Sequence, residues 1–395
     1  MSRIVITGMG IISAIGDGVA ENRKALMAGV CGMRTLGLFP SRYSGVLPCG
    51  EITLSTEALK DSLQAHEKGV TRTMLLALDA MDEALHDAGL SARDVSARDT
   101  ALINATTVGG MCLTDELFRD ATKDAFDSEY LASYDCGSVA LYLQARYGLK
   151  GTINTINTAC SSSANAIAYG ARLLRQGRAR RVIAGGVDSL AKFTINGFNA
   201  LHILSPEACR PFDRDRQGLN LGEGAAYLVL EREADVQDRR IYGFVSGYGN
   251  STDAFHPSSL SPEGEGPYLA MREALQSAGL SPERIGFVNA HGTATGNNDE
   301  VESRAMARVF GTVPPFASTK SNTGHTLGAA GAVEAVYSLL NCIHQEVYAG
   351  LQFEHPIPET GLEPIRVYAP RAIDHVMSNS FGFGGNCTSL IFSKA

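Results

Sequence analysis

The feature that most constrains this chain is an internal repeat. Residues 80–91 read AMDEALHDAGLS and residues 270–281 read AMREALQSAGLS, so the two segments agree at most positions. Each has the period of an amphipathic helix that ends at a glycine. A short polar stretch and an apolar strand follow each copy, at 100–104 and at 286–289. Chance accounts for one pair of similar Ala/Leu helices, but the shared strand makes duplication the better interpretation.

The repeat extends to a second unit of strand, turn and helix in each half. In the first half a strand at 152–156 leads into a helix from about 161 to 174, and in the second a strand at 316–319 leads into a helix at 329–340. Both helices are rich in small residues and are predicted to form a buried central layer. We therefore predict an α/β globule of two fused halves, 1–240 and 241–395, with irregular cap insertions at about 33–63 and 112–135.

Composition excludes several classes of function. The formal net charge of -8 provides no general basic field, so a nucleic-acid partner is not expected. No apolar run approaches the roughly 20 residues of a membrane span. The eight cysteines are scattered without a C-x-x-C pair, which argues against a metal site and a disulfide framework and favours reduced thiols in the cytoplasm.

Cys160 is the candidate nucleophile. It follows a β-branched strand and opens a small-residue helix, within the segment NTACSSS at 157–163. A helix N-terminus offers free N–H groups and the positive end of a dipole, which favour a thiolate. A single cysteine is more often a small buried apolar residue, and we interpret the other seven in that way.

Two glycine-flanked histidines accompany this thiol. His291 leaves a strand in NAHGTAT at 289–295, and His325 follows Lys320 in STKSNTGH at 318–325. Glu334 lies on the helix after that loop, so a cation, an imidazole and a carboxylate can converge, although a structural Lys–Glu pair has the same pattern. Thr293 and Thr295 are either donors to an amide-bearing arm or residues that satisfy a turn.

Glycines mark two further segments. In NSFGFGGN at 379–386 an aromatic ring stands between glycines, so Phe383 is either a movable gate or a ring packed in a tight turn. Near the N-terminus Gly8-x-Gly10 invites a dinucleotide interpretation, but the next glycine is Gly16 and the spacing G-x-G-x-x-G fails. A nicotinamide cofactor is therefore rejected.

Basic residues form two runs, which are usually solvated faces. In an acidic protein a basic rim beside a cleft also suits the docking of a small acidic carrier protein. The runs are Arg172, Arg175, Arg178, Arg180 and Arg181, and Arg210, Arg214 and Arg216.

Taken together, these motifs resemble the elongating β-ketoacyl-[acyl-carrier-protein] synthases of type II fatty acid and polyketide synthesis, along essentially the whole chain. The motifs are 158–162, 289–293, 320–331 and 379–385. The resemblance implies a thiolase fold of two duplicated halves in five layers, αβαβα. It also implies a homodimer, or a heterodimer with a homologous ketosynthase or chain-length factor, and an acyl carrier protein as partner.

The resemblance also implies roles for single residues. Cys160 would take the acyl group, and the pair His291 and His325 would decarboxylate malonyl carrier protein and promote condensation. Lys320 and Glu334 would tune that pair. The remaining implied roles are an oxyanion hole from the N–H groups of Cys160 and Phe383, substrate contacts at Val108, Thr293, Thr295, Phe381 and Gly382, and carrier docking at Arg210, Arg214 and Arg216.

No cofactor is implied, because the phosphopantetheine arrives on the carrier protein. The chain departs from the fatty-acid enzymes at 386–387, where Asn-Cys replaces Thr-Asn, and in the acyl-pocket segment TTVGGM at 106–111. A noncatalytic chain-length factor is the alternative from another class, although such partners usually lack the nucleophile. A coenzyme A thiolase is a third.

Overall fold

The computed structural model describes residues 2–123, 128, 131–236 and 238–395. Within them the strands are β1 Ile4–Ser13, β2 Gly16–Asp17, β3 Met33–Thr35, β4 Pro48–Gly50, β5 Thr100–Ala105, β6 Ile153–Ile156, β7 Arg181–Asp188, β8 Gly224–Arg232, β9 Gly243–Thr252, β10 Phe287–Asn289, β11 Phe316–Ala317, β12 Glu346–Val347, β13 Ala369–Pro370, β14 His375–Phe381 and β15 Asn386–Lys394.

The helices of the same described ranges are α1 Val19–Met27, α2 Thr56–Leu63, α3 Arg72–Asp87, α4 Ala92–Val95, α5 Thr114–Thr122, α6 Ser138–Tyr147, α7 Ser162–Arg175, α8 Lys192–Ala200, α9 Glu265–Ala278, α10 Gly296–Phe310, α11 Lys320–Thr323 and α12 Ala330–His344. Short 3₁₀ turns lie at Met111–Leu113, Leu131–Ser133, Glu233–Asp235, Pro282–Arg284, Leu327–Ala329 and Phe383–Gly385.

The strands show the predicted duplication. The first half has the strand order β6-β5-β7-β8-β1 and the second has β11-β10-β14-β15-β9. In each half the first three strands run parallel and the last two join antiparallel. The two sheets meet where Val5 and Ile6 of β1 pair with Phe244 and Gly243 of β9.

The helices form the remaining layers. Helices α7 and α12 contact each other and the inner faces of both sheets, while α3 and α6 cover one outer face and α9 and α10 cover the other. Small residues allow the central contact, since a Cβ on Gly331 would lie 2.6 Å from the backbone nitrogen of Ala164. The five-layer αβαβα thiolase fold predicted from the sequence is therefore confirmed.

The repeated helices pack on their strands in the same way. A Cβ on Gly10 would lie 2.1 Å from the carbonyl oxygen of Ala80, and one on Gly249 would lie 2.1 Å from that of Ala270. The glycines of β1 thus serve close packing between a strand and a helix, a role that their counterparts in β9 share.

The predicted cap insertions contain more regular structure than we expected. The first includes the hairpin of β3 and β4 and the helix α2, and the second includes α5. Positions 124–127 and 129–130 of the second insertion lie outside the described residues. Among the described helices, none has the length and apolarity needed to cross a bilayer.

The parallel strands position the functional loops. Because β5 pairs in parallel with β6, and β10 with β11, the loops that follow the carboxyl ends of each pair emerge side by side. These loops carry the residues at 106–108, 157–160, 290–295 and 318–325.

Candidate active site

The structure brings the thiol and the two histidines together. Donor atoms of Cys160, His291 and His325 all lie within 4.8 Å of one another. The imidazole centroids are 5.4 Å apart and the rings are nearly perpendicular, at 84°. All three residues are buried, with exposed fractions of 6%, 2% and 2%. One thiol from the first half therefore faces two imidazoles from the second.

A strained turn presents Cys160. Ala159 has φ of 54°, a left-handed conformation that costs a residue with a Cβ about 1 kcal/mol or more. The turn is held by the Thr158 N–H, which donates to the Ser162 hydroxyl at 2.8 Å. Helix α7 then begins at Ser162, so the thiol lies at the helix N-terminus, as predicted.

Burial opposes the thiolate that the helix N-terminus favours at Cys160. Burial raises the pKa of Cys160 to about 11, although the Phe383 N–H donates to the sulfur and the charge of Lys320 opposes the rise. Burial therefore dominates over the helix N-terminus.

His325 is held as a neutral donor. Its Nδ1 accepts from the Leu327 N–H at 3.2 Å, which places the ring proton on Nε2. That Nε2 is buried and has no hydrogen-bond partner among the described residues. Burial, followed by the charge of Lys320, lowers the pKa of His325 well below its usual value. The imidazole is thus an uncharged N–H donor that faces the cavity.

The loop of His291 is held by a buried carboxylate that the sequence analysis missed. The N–H groups of His291 and Gly292 donate to the two carboxylate oxygens of Glu302, each at 2.8 Å. Burial raises the pKa of Glu302 to about 7. The pKa of His291 is lowered by burial, then by Lys320 and His325, so this imidazole is also neutral.

A sequence signal for Glu302 exists. Asp299 and Glu302 are three positions apart on α10, hence on one face, and both are fully buried. Asp299 accepts from the N–H groups of Ala294 and Phe212. Two acids on one helix face after a histidine loop are therefore the pattern that predicts this support.

Lys320 and Glu334 form a buried ion pair behind the histidines. The Lys320 ammonium donates to Oε1 of Glu334, and both side chains are almost fully buried. Burial raises the pKa of Glu334 to about 7, while the charge of Lys320 opposes that rise. The predicted convergence of cation, imidazole and carboxylate is present, and the lysine acts on the histidines through its charge.

Two cavities meet at Cys160. One, of about 260 Å³, is lined by residues of both halves, namely Cys160, His291, Thr293, Thr295, His325, Phe381, Gly382 and Phe383. The other, of about 440 Å³, is more apolar and is lined by Cys160, Thr107, Met111, Phe193, Phe198, Leu201, Leu327 and Phe383. The Phe383 ring stacks on Phe198 at 5.9 Å, and both residues line both cavities. Phe383 thus stands between the two spaces.

Of the residues predicted to contact the substrate, the two threonines line a cavity and Val108 does not. Thr293 and Thr295 line the first cavity, and their hydroxyl oxygens are 2.9 Å apart. Val108 is fully buried and lines neither cavity, while its neighbour Thr107 lines the second. The N–H of Val108 donates to Asp188 at 2.8 Å.

Asp188 is a second buried carboxylate that the sequence analysis missed. It accepts from the Thr106 hydroxyl at 2.6 Å, from the N–H of Thr107 at 2.9 Å and from the N–H of Gly328 at 2.7 Å. The first two donors belong to the loop after β5, of which Thr107 lines the more apolar cavity, and the third follows the His325 loop. Burial raises the pKa of Asp188. This carboxylate therefore ties a loop of the first half to the second.

Comparison with known proteins accords with this arrangement. The family model for the β-ketoacyl synthase N-terminal domain matches residues 1–236, and the model for the C-terminal domain matches residues 242–354. The chain belongs to the β-ketoacyl synthase family. It is 32% identical to 3-oxoacyl-[acyl-carrier-protein] synthase 2 of Vibrio cholerae, with 99% of each chain covered, and 35% identical to the protein of that name in Rhizobium meliloti, with 100% and 99% covered.

Solved structures of ketosynthases are similar along the whole chain. The ishigamide ketosynthase/chain length factor has a TM-score of 0.94 and 30% identity, with 100% and 99% of the chains covered. The ketosynthase ApeO, in complex with its chain length factor ApeC from Xenorhabdus doucetiae, has a TM-score of 0.88 and 34% identity, with 100% and 98% covered.

In this β-ketoacyl synthase two of the predicted docking arginines reach solvent. Arg210 pairs with Glu207 at 3.4 Å, and Arg214 pairs with Asp215 at 3.1 Å. Their side chains keep 26% and 51% of their surface exposed. Both ion pairs are local and exposed, so they leave the guanidinium groups available to another partner.

Arg216 is used inside the protein. Its guanidinium donates to the carbonyl oxygen of Thr295 at 3.1 Å, to that of Gly296 at 2.6 Å and to that of Asp213 at 3.0 Å. These bonds hold the loop that carries the two threonines. The structure thus gives Arg216 a supporting position beside the cavity.

The other basic run does not form a rim around the cleft. It lies on the last turn of α7 and beyond, roughly 20 Å along the helix from Cys160. Arg181 is buried in β7 and pairs with Glu231 at 3.0 Å. The prediction of a docking rim is therefore wrong for this run, because the helix carries it to the far end of the central layer.

Proposed function

We propose that this β-ketoacyl synthase catalyses decarboxylative Claisen condensation. An acyl group passes from the thioester of an acyl carrier protein to Cys160. Malonyl carrier protein then loses carbon dioxide, and the resulting carbanion attacks the acyl-Cys160 carbonyl to give a β-ketoacyl carrier protein. The observation that carries this proposal is the meeting of one thiol and two neutral imidazoles where two cavities join.

Acyl transfer exchanges one thioester for another. The Cys160 sulfur forms a bond to the acyl carbon, the bond to the carrier's sulfur breaks, and the thiol proton leaves with that sulfur. The charge that develops on the carbonyl oxygen is held by the N–H groups of Cys160 and Phe383. The acyl chain occupies the apolar cavity, and the phosphopantetheine arm occupies the cavity lined by Thr293 and Thr295.

Decarboxylation uses the two histidines. As carbon dioxide leaves, its bonding electrons move toward the malonyl thioester oxygen, where uncharged imidazole N–H groups stabilise the enolate. Attack on acyl-Cys160 forms the carbon–carbon bond and expels the sulfur, which takes up one proton to restore the thiol. Burial keeps both imidazoles neutral, and the charge of Lys320 lowers their pKa further, which supports this step.

The partners follow from the same chemistry. The carrier protein supplies the phosphopantetheine, so the enzyme needs no cofactor of its own, and Arg210 and Arg214 contact the acidic carrier. Residues 1–240 provide the nucleophile and 241–395 the histidines. The chain works in the cytoplasm as a homodimer or with a homologous ketosynthase or chain-length factor, in fatty acid, polyene or polyketide synthesis.

One experiment tests the proposal. The protein is incubated with an acylated carrier protein and then with malonyl carrier protein, and carbon dioxide release and intact mass are measured. A ketosynthase gains the acyl mass, releases carbon dioxide and produces the β-ketoacyl carrier. A noncatalytic chain-length factor gives none of these three results. A coenzyme A thiolase releases no carbon dioxide from malonyl carrier protein, and it condenses acyl-coenzyme A when that substrate is supplied in a parallel reaction. Either of the last two results would overturn the proposal.

A further inference from the structure

Asn386 accepts several hydrogen bonds beside the nucleophile turn, the turn at 158–162 that presents Cys160. Its Oδ1 accepts from the Ser161 hydroxyl at 2.7 Å, from the Asn165 amide at 2.8 Å and from the Asn250 amide at 3.0 Å. Ser161 and Asn165 flank the start of α7, whereas Asn250 lies on β9. One amide oxygen therefore links the nucleophile turn of the first half to the sheet of the second.

The backbone of the same residue closes the turn that carries Phe383. The Gly382 N–H donates to the carbonyl oxygen of Asn386 at 2.8 Å, and the Gly385 N–H donates to that of Gly382 at 3.1 Å. Asn386 therefore holds the Cys160 turn with its side chain and the Phe383 turn with its backbone.

These two turns are in direct contact. A Cβ on Gly382 would lie 2.7 Å from the carbonyl oxygen of Thr158 and 3.2 Å from the backbone nitrogen of Cys160. The N–H of Phe383 reaches the Cys160 sulfur across this contact. A small shift of either turn would therefore change the separation of the N–H groups of Cys160 and Phe383.

We propose that Asn386 is a positioning residue for acyl transfer. Its side chain and backbone together set the spacing of the two N–H groups that stabilise the oxyanion on the acyl group. This inference rests on the proposed function, because it assigns those donors to the acylation half-reaction. The enolate of the second half-reaction is held by the histidines, which have no hydrogen bond to Asn386 in the described structure.

The acceptor geometry explains why an amide is used here. A carbonyl oxygen has two lone pairs and projects far enough from the backbone to receive donors from both halves. The Asn386→Ala variant removes the acceptor but keeps the backbone carbonyl that closes the Phe383 turn.

The test separates the two half-reactions. The rate of Cys160 acylation is measured in single turnover by intact mass, and carbon dioxide release from malonyl carrier protein is measured with unacylated enzyme. We expect Asn386→Ala to lower the acylation rate about 10- to 100-fold, less than the roughly 10²- to 10³-fold that removing one oxyanion donor costs, because both donors remain but are misplaced. Carbon dioxide release should stay within about twofold of the wild type.

A matched control and a double variant sharpen the test. Ser246→Ala removes a 2.6 Å hydroxyl bond to Ser393 between the same two strands, away from the turn, and should acylate at the wild-type rate. Ser161→Ala also removes a hydroxyl 2.8 Å from the Thr158 carbonyl oxygen, so it should slow acylation by itself. Because the two variants share the 2.7 Å bond between Ser161 and Asn386, the double variant should lose less than the product of the two single losses.

The outcomes are distinct. If the wild type itself does not become acylated, the proposed function fails. If the wild type is acylated and Asn386→Ala is acylated within twofold of its rate, the positioning role is overturned. An equal loss in both half-reactions, together with a lower melting temperature, also overturns it, because that result indicates a structural role only.

Discussion

The loop after β5 and the loop after β10 occupy equivalent places in the two halves and are supported by the same device. A buried carboxylate accepts backbone N–H groups in each: Asp188 from Thr107 and Val108, and Glu302 from His291 and Gly292. Asp188 ends a strand, whereas Glu302 lies within a helix. The two halves thus reach the same loop support from different elements.

What differs is the side chain that each supported loop presents. After β5 the chain offers Thr107 to an apolar cavity, and after β10 it offers His291 to the neighbouring cavity. The next pair of loops differs likewise, since the first carries Cys160 and the second carries Lys320 and His325. Duplication therefore supplied the fixed loops, and different side chains on them divide the chemistry between the halves.

The largest effect is expected from removing the nucleophile that the first half provides. Cys160→Ala removes the acyl acceptor, so no acyl mass should be gained when the variant is incubated with acylated carrier protein. Cys31→Ala, which changes a thiol outside the candidate site, is the control and should acquire the mass as the wild type does. Acylation of Cys160→Ala would place the nucleophile elsewhere.

The next largest effect is expected from removing one of the two histidines that the second half provides. His325→Ala should lower carbon dioxide release from malonyl carrier protein by roughly 10²- to 10³-fold, the usual result of losing one oxyanion donor. Acylation of Cys160 should persist. His375→Ala, which removes a half-buried imidazole bonded to Ser393, should leave carbon dioxide release unchanged. Undiminished release in His325→Ala would contradict the division of roles.

A third prediction compares the loop supports through pH. The pKa of Glu302 is raised to about 7 from 4.5, so its contribution to stability is fully present below about pH 4.5 and is lost as the pH rises through about 7. The loss amounts to about 3 kcal/mol of unfolding free energy. Glu302→Gln resembles the protonated acid and should lack this part of the decline.

Urea unfolding at pH 5 and pH 8 provides the measurement. The difference in unfolding free energy between the two pH values should be smaller in Glu302→Gln than in the wild type. An unchanged difference in Glu302→Gln would mean that Glu302 is ionised at pH 5.

The smallest expected effect concerns the charge behind the histidines. After burial, the charge of Lys320 lowers the pKa of both imidazoles, so its removal should raise these pKa values. As the pH is lowered, the imidazoles of the variant should then become protonated, and decarboxylation should stop, at a higher pH than in the wild type. The variant Lys320→Met with Glu334→Gln avoids an unpaired buried carboxylate. We expect the acid limb of the carbon dioxide release profile to move up by about one pH unit. An acid limb that stays at the same pH or moves to a lower pH would show that Lys320 does not lower the pKa of the imidazoles.

The sequence predicted the parts of this comparison that depend on local pattern. The repeated helix at 80–91 and 270–281 predicted the two halves. The turn between a β-branched strand and a small-residue helix predicted Cys160, and glycine-flanked loops predicted His291 and His325. Asp188 was missed because the sequence does not distinguish a buried carboxylate from a solvated one. Glu302 was missed although its spacing from Asp299 on α10 places two acids on one helix face. The resting ionisation of Cys160 could not be predicted from the sequence, since the pKa of its thiol depends on burial that only the assembled halves create.

The most direct test of the central claim is a crystal structure of the acyl-enzyme with a malonyl-pantetheine amide, which cannot undergo thioester exchange. The account predicts the acyl chain on the Cys160 sulfur and directed past Phe383 toward Met111, with the amide oxygen of the analogue at hydrogen-bond distance from both His291 and His325. An acyl group on another residue, or an analogue bound away from the two imidazoles, would contradict the account.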